Sequence, residues 1–202
     1  MIKSFKILST LIFINCLYGQ GLTIKGGYNT SKIRLNDESL SENIDIYFKN
    51  GFDIGIESGN EEWILGFSYL QRGSQVEFYV ESYDTTGGYN VKSSDVYYYG
   101  ALHFLLITRL GSGIDGFGGV QTGFPLGGKA SVETRMNNEN SSIDADELGV
   151  DTGFLIGANF KINEYIGLRA SYYMGLTDVA EGIDEDTNYK NNTLNFSLLI
   201  NL

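Results

Sequence analysis

The sequence predicts an all-β chain: an eight-stranded antiparallel up-and-down barrel that crosses a membrane with its strands. Three observations point there. Amphipathic stretches with a period of two recur along the chain, and the last is the clearest: Leu194, Phe196, Leu198, Ile200 and Leu202 alternate with Asn195, Ser197, Leu199 and Asn201. Such alternation marks a strand whose two faces meet different solvents. The connections between these stretches are alternately short and long, as in barrels whose hairpins end on opposite sides of a bilayer. The composition is that of strands, with 26 Gly, 14 Tyr and 12 Phe against one Pro in 202 residues, because aromatic residues suit a pleated surface and proline removes a ladder hydrogen bond.

Residues 1–20 read as a secretory signal peptide. Lys3 and Lys6 precede an apolar run at 7–14, and small residues follow around Gly19 and Gly21. Cys16 leaves with the signal, so the barrel domain, 21–202, has no disulfide and no thiolate. Within it, strands are expected at roughly 21–30, 48–58, 62–73, 95–108, 115–127, 147–161, 164–177 and 191–202. Tight turns fall at 58–61, 110–113 and 162–164, and long connections at 31–47, 74–94, 128–146 and 178–190. No internal run reaches the ~20 apolar residues of a membrane-spanning helix.

The formal charge is −11, and eighteen of the 25 acids lie in the four long connections or beside them. One rim of the barrel is therefore acidic and hydrated, leaving the apolar band of the strands uninterrupted. Nucleic acid is excluded as a partner class, since phosphate recognition relies on Lys and Arg.

Strand parity divides the side chains between lipid and lumen. Phe52, Trp63, Phe67, Leu168 and Phe196 represent the outward rows. The inward rows collect Lys25, Asp53, Glu57, Arg72, His103, Gln121, Asp151 and Arg169, interleaved with glycines such as Gly27, Gly66 and Gly153. Ile64, Leu70, Tyr97, Tyr99 and Leu105 also fall inward. An eight-stranded barrel has a bore that side chains can fill. Lys25, Arg72 and Arg169 are expected to pair there with Asp53, Glu57 and Asp151, giving a lumen charge network.

Chemistry of other kinds finds little support. The single histidine, His103, would have to recruit an inward serine, Ser68 or Ser171, to make a hydrolase, and a packed or hydrogen-bonded interior residue is the simpler reading. No catalytic residue or cofactor is expected. Asp184, Asp186 and Asn188 match the first three oxygen positions of a calcium loop. Tyr189 then stands where glycine is needed and Asn195 where the closing glutamate belongs. The Gly116-Phe117-Gly118-Gly119 stretch lacks the lysine and helix of a phosphate cradle.

Specific segments carry a family likeness. Thr23-Ile24-Lys25-Gly26-Gly27-Tyr28-Asn29-Thr30-Ser31, Gly51-Phe52-Asp53-Ile54-Gly55, Tyr69-Leu70-Gln71-Arg72-Gly73 and Leu168-Arg169-Ala170-Ser171-Tyr172-Tyr173-Met174-Gly175-Leu176-Thr177 resemble the PorT-type outer-membrane β-barrel family of Gram-negative bacteria, among the small OmpA/OmpX-like barrels. The fourth strand departs from that pattern with Tyr99, Ala101 and His103. The resemblance implies an outer-membrane protein exported through its signal peptide.

Three functions from different classes are compatible with these residues. The first is a structural or interaction barrel, seated in lipid and lipopolysaccharide, that presents acidic extracellular loops to an envelope protein or to ions. A narrow pore for small solutes is the second, and the third is a soluble secreted barrel binding an apolar ligand, which needs the reverse parity. In either membrane reading the first and last strands must pair, because an open edge in lipid leaves backbone groups unsatisfied. The chain ends in Leu202 rather than in the aromatic residue common in signals read by barrel-insertion machinery.

Overall fold

A computed structural model describes residues 21–35, 44–80, 89–134, 138–179 and 189–202. They form nine strands: β1 Gly21–Leu35, β2 Ile44–Gly59, β3 Trp63–Val80, β4 Tyr89–Gly111, β5 Ile114–Glu133, β6 Asn138–Ile143, β7 Asp151–Lys161, β8 Ile166–Gly175 and β9 Tyr189–Asn201. Every pairing is antiparallel. The order β4-β3-β2-β1-β9-β8-β7-β5, closed by β4 on β5, is a ring of eight strands. The first and last strands pair over thirteen residues, from Thr23 opposite Asn201 to Leu35 opposite Tyr189. No described helix is long and apolar enough to cross a membrane.

The short turns and both ends of the barrel domain share one rim. Asn60 and Asn163 make two of these turns, because each Oδ1 accepts hydrogen bonds from backbone N–H groups two and three residues ahead, at 2.8 and 3.0 Å and at 2.9 and 2.7 Å. Gly113 makes the third with φ +78°, which only glycine adopts without strain.

At the opposite rim the strands run further than the sequence predicts. Asp45, Glu77, Asp95 and Glu133, expected in loops or at their edges, sit on β2, β3, β4 and β5. Ile44, Ile46 and Phe48 alternate there with Asp45 and Tyr47, and Val76 and Phe78 with Glu77, and backbone pairing continues out to Val80 opposite Tyr89. The ring has the eight strands the sequence predicts, and a ninth strand, β6, is additional to it. It lies outside the ring, where β5 from Gly128 to Glu133 rises above the last pairing with β7, Gly123 opposite Asp151. A bare ladder edge there would invite association, and β6 covers it. The lone proline, Pro125, sits beside the register shift of β5 on β4. Gly127 at φ +118° completes that bulge.

The apolar rows face out. Phe52, Leu168 and Phe196 are each about half exposed, at 48%, 46% and 55%. Trp63 and Phe67 are half-buried, since Trp63 stacks on Phe104 at 6.4 Å and Phe67 lies over Gly100, whose added Cβ would be 3.6 Å from the ring. Inside, two apolar clusters interrupt the polar bore. Ile33, Leu70, Tyr97, Tyr99, Ala101 and Leu148 form the outer one, and Leu105, Phe117, Leu155 and Tyr173 the inner one. Residues 1–20 and the loop acids Asp37, Glu38, Glu42, Glu81, Asp84, Glu181, Asp184, Glu185 and Asp186, with Asn188, lie outside the described residues.

Candidate functional site

Charged side chains meet in the lumen because glycines clear the rows between them. Glu57, Gly66 and His103 stand side by side on β2, β3 and β4. A Cβ on Gly66 would overlap the His103 ring, so glycine lets His103 Nε2 reach Glu57 Oε1 at 2.9 Å over it. Asp53, Gly27 and Ser197 repeat the device across β2, β1 and β9. Here too an added Cβ would overlap both flanking side chains, and Ser197 Oγ lies 3.5 Å from Asp53 Oδ1 while donating to Asn195 Oδ1 at 2.6 Å.

Two ion pairs then span the bore. Arg169 of β8 holds Glu57 of β2 with both terminal nitrogens, Nη1 to Oε1 at 2.5 Å and Nη2 to Oε2 at 2.9 Å, while its Nε donates to Asn159 at 2.7 Å. Lys25 lies 2.9 Å from Asp53 and 3.8 Å from Glu57. Nearer the outer rim, Arg72 of β3 pairs with Asp151 of β7. Asp151 also accepts from Tyr173 Oη at 2.5 Å and Asn191 Nδ2 at 2.9 Å, and the Arg72 guanidinium lies 3.8 Å over the Tyr173 ring. All these ions are buried, Asp151 completely. Carboxylates so enclosed stay charged only with such partners.

The six charges expected to share the lumen therefore meet as two groups rather than one. Sequence reasoning did not enlist Asn159, Tyr173 and Asn191, although Tyr173 has the parity of Arg169 and Ser171. His103 turns to Glu57, so its Nε2 is not directed at Ser68 or Ser171. Between the two groups remains a cavity of about 20 Å³, lined by Lys25, Asn29, Asp53, Arg72, Tyr173 and Thr193 among others. That is room for about one water. Towards the rim of short turns the bore widens into a vestibule of about 440 Å³ that reaches Glu57 and Arg169. No cluster of three or more metal-ligating side chains occurs among the described residues.

A closed ring of eight strands, apolar outside and filled with paired charge inside, defines the class: a small transmembrane β-barrel. Residues 20–181 match the outer membrane protein beta-barrel domain family. The chain belongs to that family, which places it in the outer membrane. The crystal structure of Ail, the attachment invasion locus protein of Yersinia pestis, has a similar fold, with a TM-score of 0.52 at 15% identity over 91% of this chain and 99% of Ail. The complex of Ail with the heparin analogue sucrose octasulfate gives 0.51 at 17% identity over the same shares. Neisserial surface protein A follows at 0.49 and 12% identity, covering 89% of this chain and 96% of that one. Among curated proteins, none matches the sequence.

Proposed function

We propose that this chain is a closed outer-membrane barrel with a structural or interaction role, acting through what it extends beyond the lipid rather than by conducting solute. One observation carries the reading. The Arg169–Glu57 and Arg72–Asp151 pairs bridge the bore, and the space between them has room for about one water. Drawing a solute through would require parting buried ions from their counter-charges, at several kcal/mol for each. A soluble carrier of an apolar ligand is disfavoured by the outward rows of Phe, Leu and Ile.

On this reading an N-terminal signal peptide exports the chain, barrel-insertion machinery places it among lipid and lipopolysaccharide, and the acidic extracellular connections meet an envelope protein or ions. Kinship with the PorT-type barrels is part of the same proposal and rests on the arginine strands around Arg72 and Arg169. The test is electrical. Purified barrel in a planar bilayer at neutral pH is expected to give no discrete conductance steps, and reproducible steps from the intact protein would overturn the closed reading.

A further inference from the structure

We infer that the outer face of β1 and β9, just above the lipid-facing rows, is a binding site for the phosphate groups of outer-leaflet glycolipid. The inference deepens the reading of a membrane-seated interaction barrel and rests on it. The outward row ascends β1 through Tyr28 and Thr30 to Lys32 and Arg34, and β9 through Phe196 and Leu194 to Asn192 and Lys190. Arg34 stands directly opposite Lys190, and Lys32 is diagonal to it. Like charges directly opposite on a ladder repel and destabilise the pair. They occur here in a chain of net charge −11, and among the described residues no carboxylate pairs with any of the three.

Their height matches a phosphate layer. The outward positions of a strand are about 6.6 Å apart along it, so Lys32 stands one step above the last level of β1 and β9 with an apolar residue, Leu194 opposite Thr30, and Arg34 and Lys190 stand two. Strand tilt makes each step ~5 Å of height, which puts the three cations where headgroups begin. An aromatic residue completes the patch. Phe48 of β2 is 55% exposed, with Lys32 Nζ 5.0 Å from its ring centroid, as befits an amphipathic boundary. Three cations on one face, each able to donate hydrogen bonds, fit a phosphorylated lipid; an uncharged headgroup would leave their repulsion in place.

The experiment compares full-length wild type with a Lys32→Gln, Arg34→Gln, Lys190→Gln triple variant and with a Lys92→Gln, Lys129→Gln control. Each is reconstituted in phosphatidylcholine nanodiscs carrying a few per cent of bisphosphorylated lipid A, and lipid bound to the barrel is measured as salt is raised. Each charge removed from the patch is expected to lower lipid A enrichment by about fivefold and to flatten the salt dependence, with the control unchanged. Inorganic phosphate should compete in neither protein; competition at millimolar concentration would reassign the patch to free phosphate and overturn the lipid site. Equal enrichment in wild type and triple variant would overturn it as well. The triple variant is scored only on protein with the heat-modifiable gel mobility of a folded barrel. Should it fail that check, Arg34→Gln alone decides by the same readout. Loss of the site would leave the absence of conductance untouched, so the two readings fail separately.

Discussion

Glu57 is a hub of the lumen, because Arg169, His103 and Lys25 all converge on it. Glu57→Ala leaves Arg169 buried without a counter-charge and is expected to destabilise the barrel by ~3–5 kcal/mol, measured as a lower urea midpoint for unfolding from lipid vesicles. Gly66 has a matching role through what it lacks. Gly66→Ala pushes a methyl into the His103 ring and against Glu57 and should cost ~1–3 kcal/mol. Gly118→Ala is the control, since its methyl would meet nothing nearer than Ile156 at 3.9 Å. An unchanged midpoint for Gly66→Ala would contradict the account of the glycine rows.

At the scale of elements, each ring strand divides its residues between hydrocarbon and bore, and the apolar rows decide insertion. Phe196→Lys, Leu168→Lys and Phe52→Lys are each expected to cost ~2–4 kcal/mol near the midplane, seen as reduced folding into phosphatidylcholine vesicles. Lys at Thr30, beside the headgroups, should be tolerated at ~0–1 kcal/mol by the same assay. Strands were legible where the two faces differ, as in β9, and poorly legible where they do not. Beyond the apolar rows Glu77 pairs with Lys92 and Asp95 accepts from Tyr97 on a ladder that continues, and the clustered acids and serines made their stretches read as loop. β6, Asn-Glu-Asn-Ser-Ser-Ile, has no alternation at all. Its strand character comes from the exposed edge of β5, which no local pattern announces.

For the whole molecule, closure is the decisive event. Removing 189–202 deletes β9 and leaves β1 and β8 unpaired along their full contact. The truncated chain is expected to lose heat-modifiable mobility in gels and to appear in the aggregated fraction, because open strand edges are not tolerated in lipid. A truncated chain that still inserts would show that the ring is not closed by this strand.

Parity, turn residues and the alternation of short with long connections are local properties, and they determined the class of fold, the lipid-facing rows and the set of ionic residues inside. Which ion meets which was decided only by closure. Arg169 finds Glu57 across 112 residues and Arg72 finds Asp151 across 79, because the circumference of eight strands sets the bore and so the reach of each side chain. The basic patch has the same origin: Arg34 and Lys190 lie at opposite ends of the barrel domain and become neighbours when the last strand hydrogen-bonds to the first.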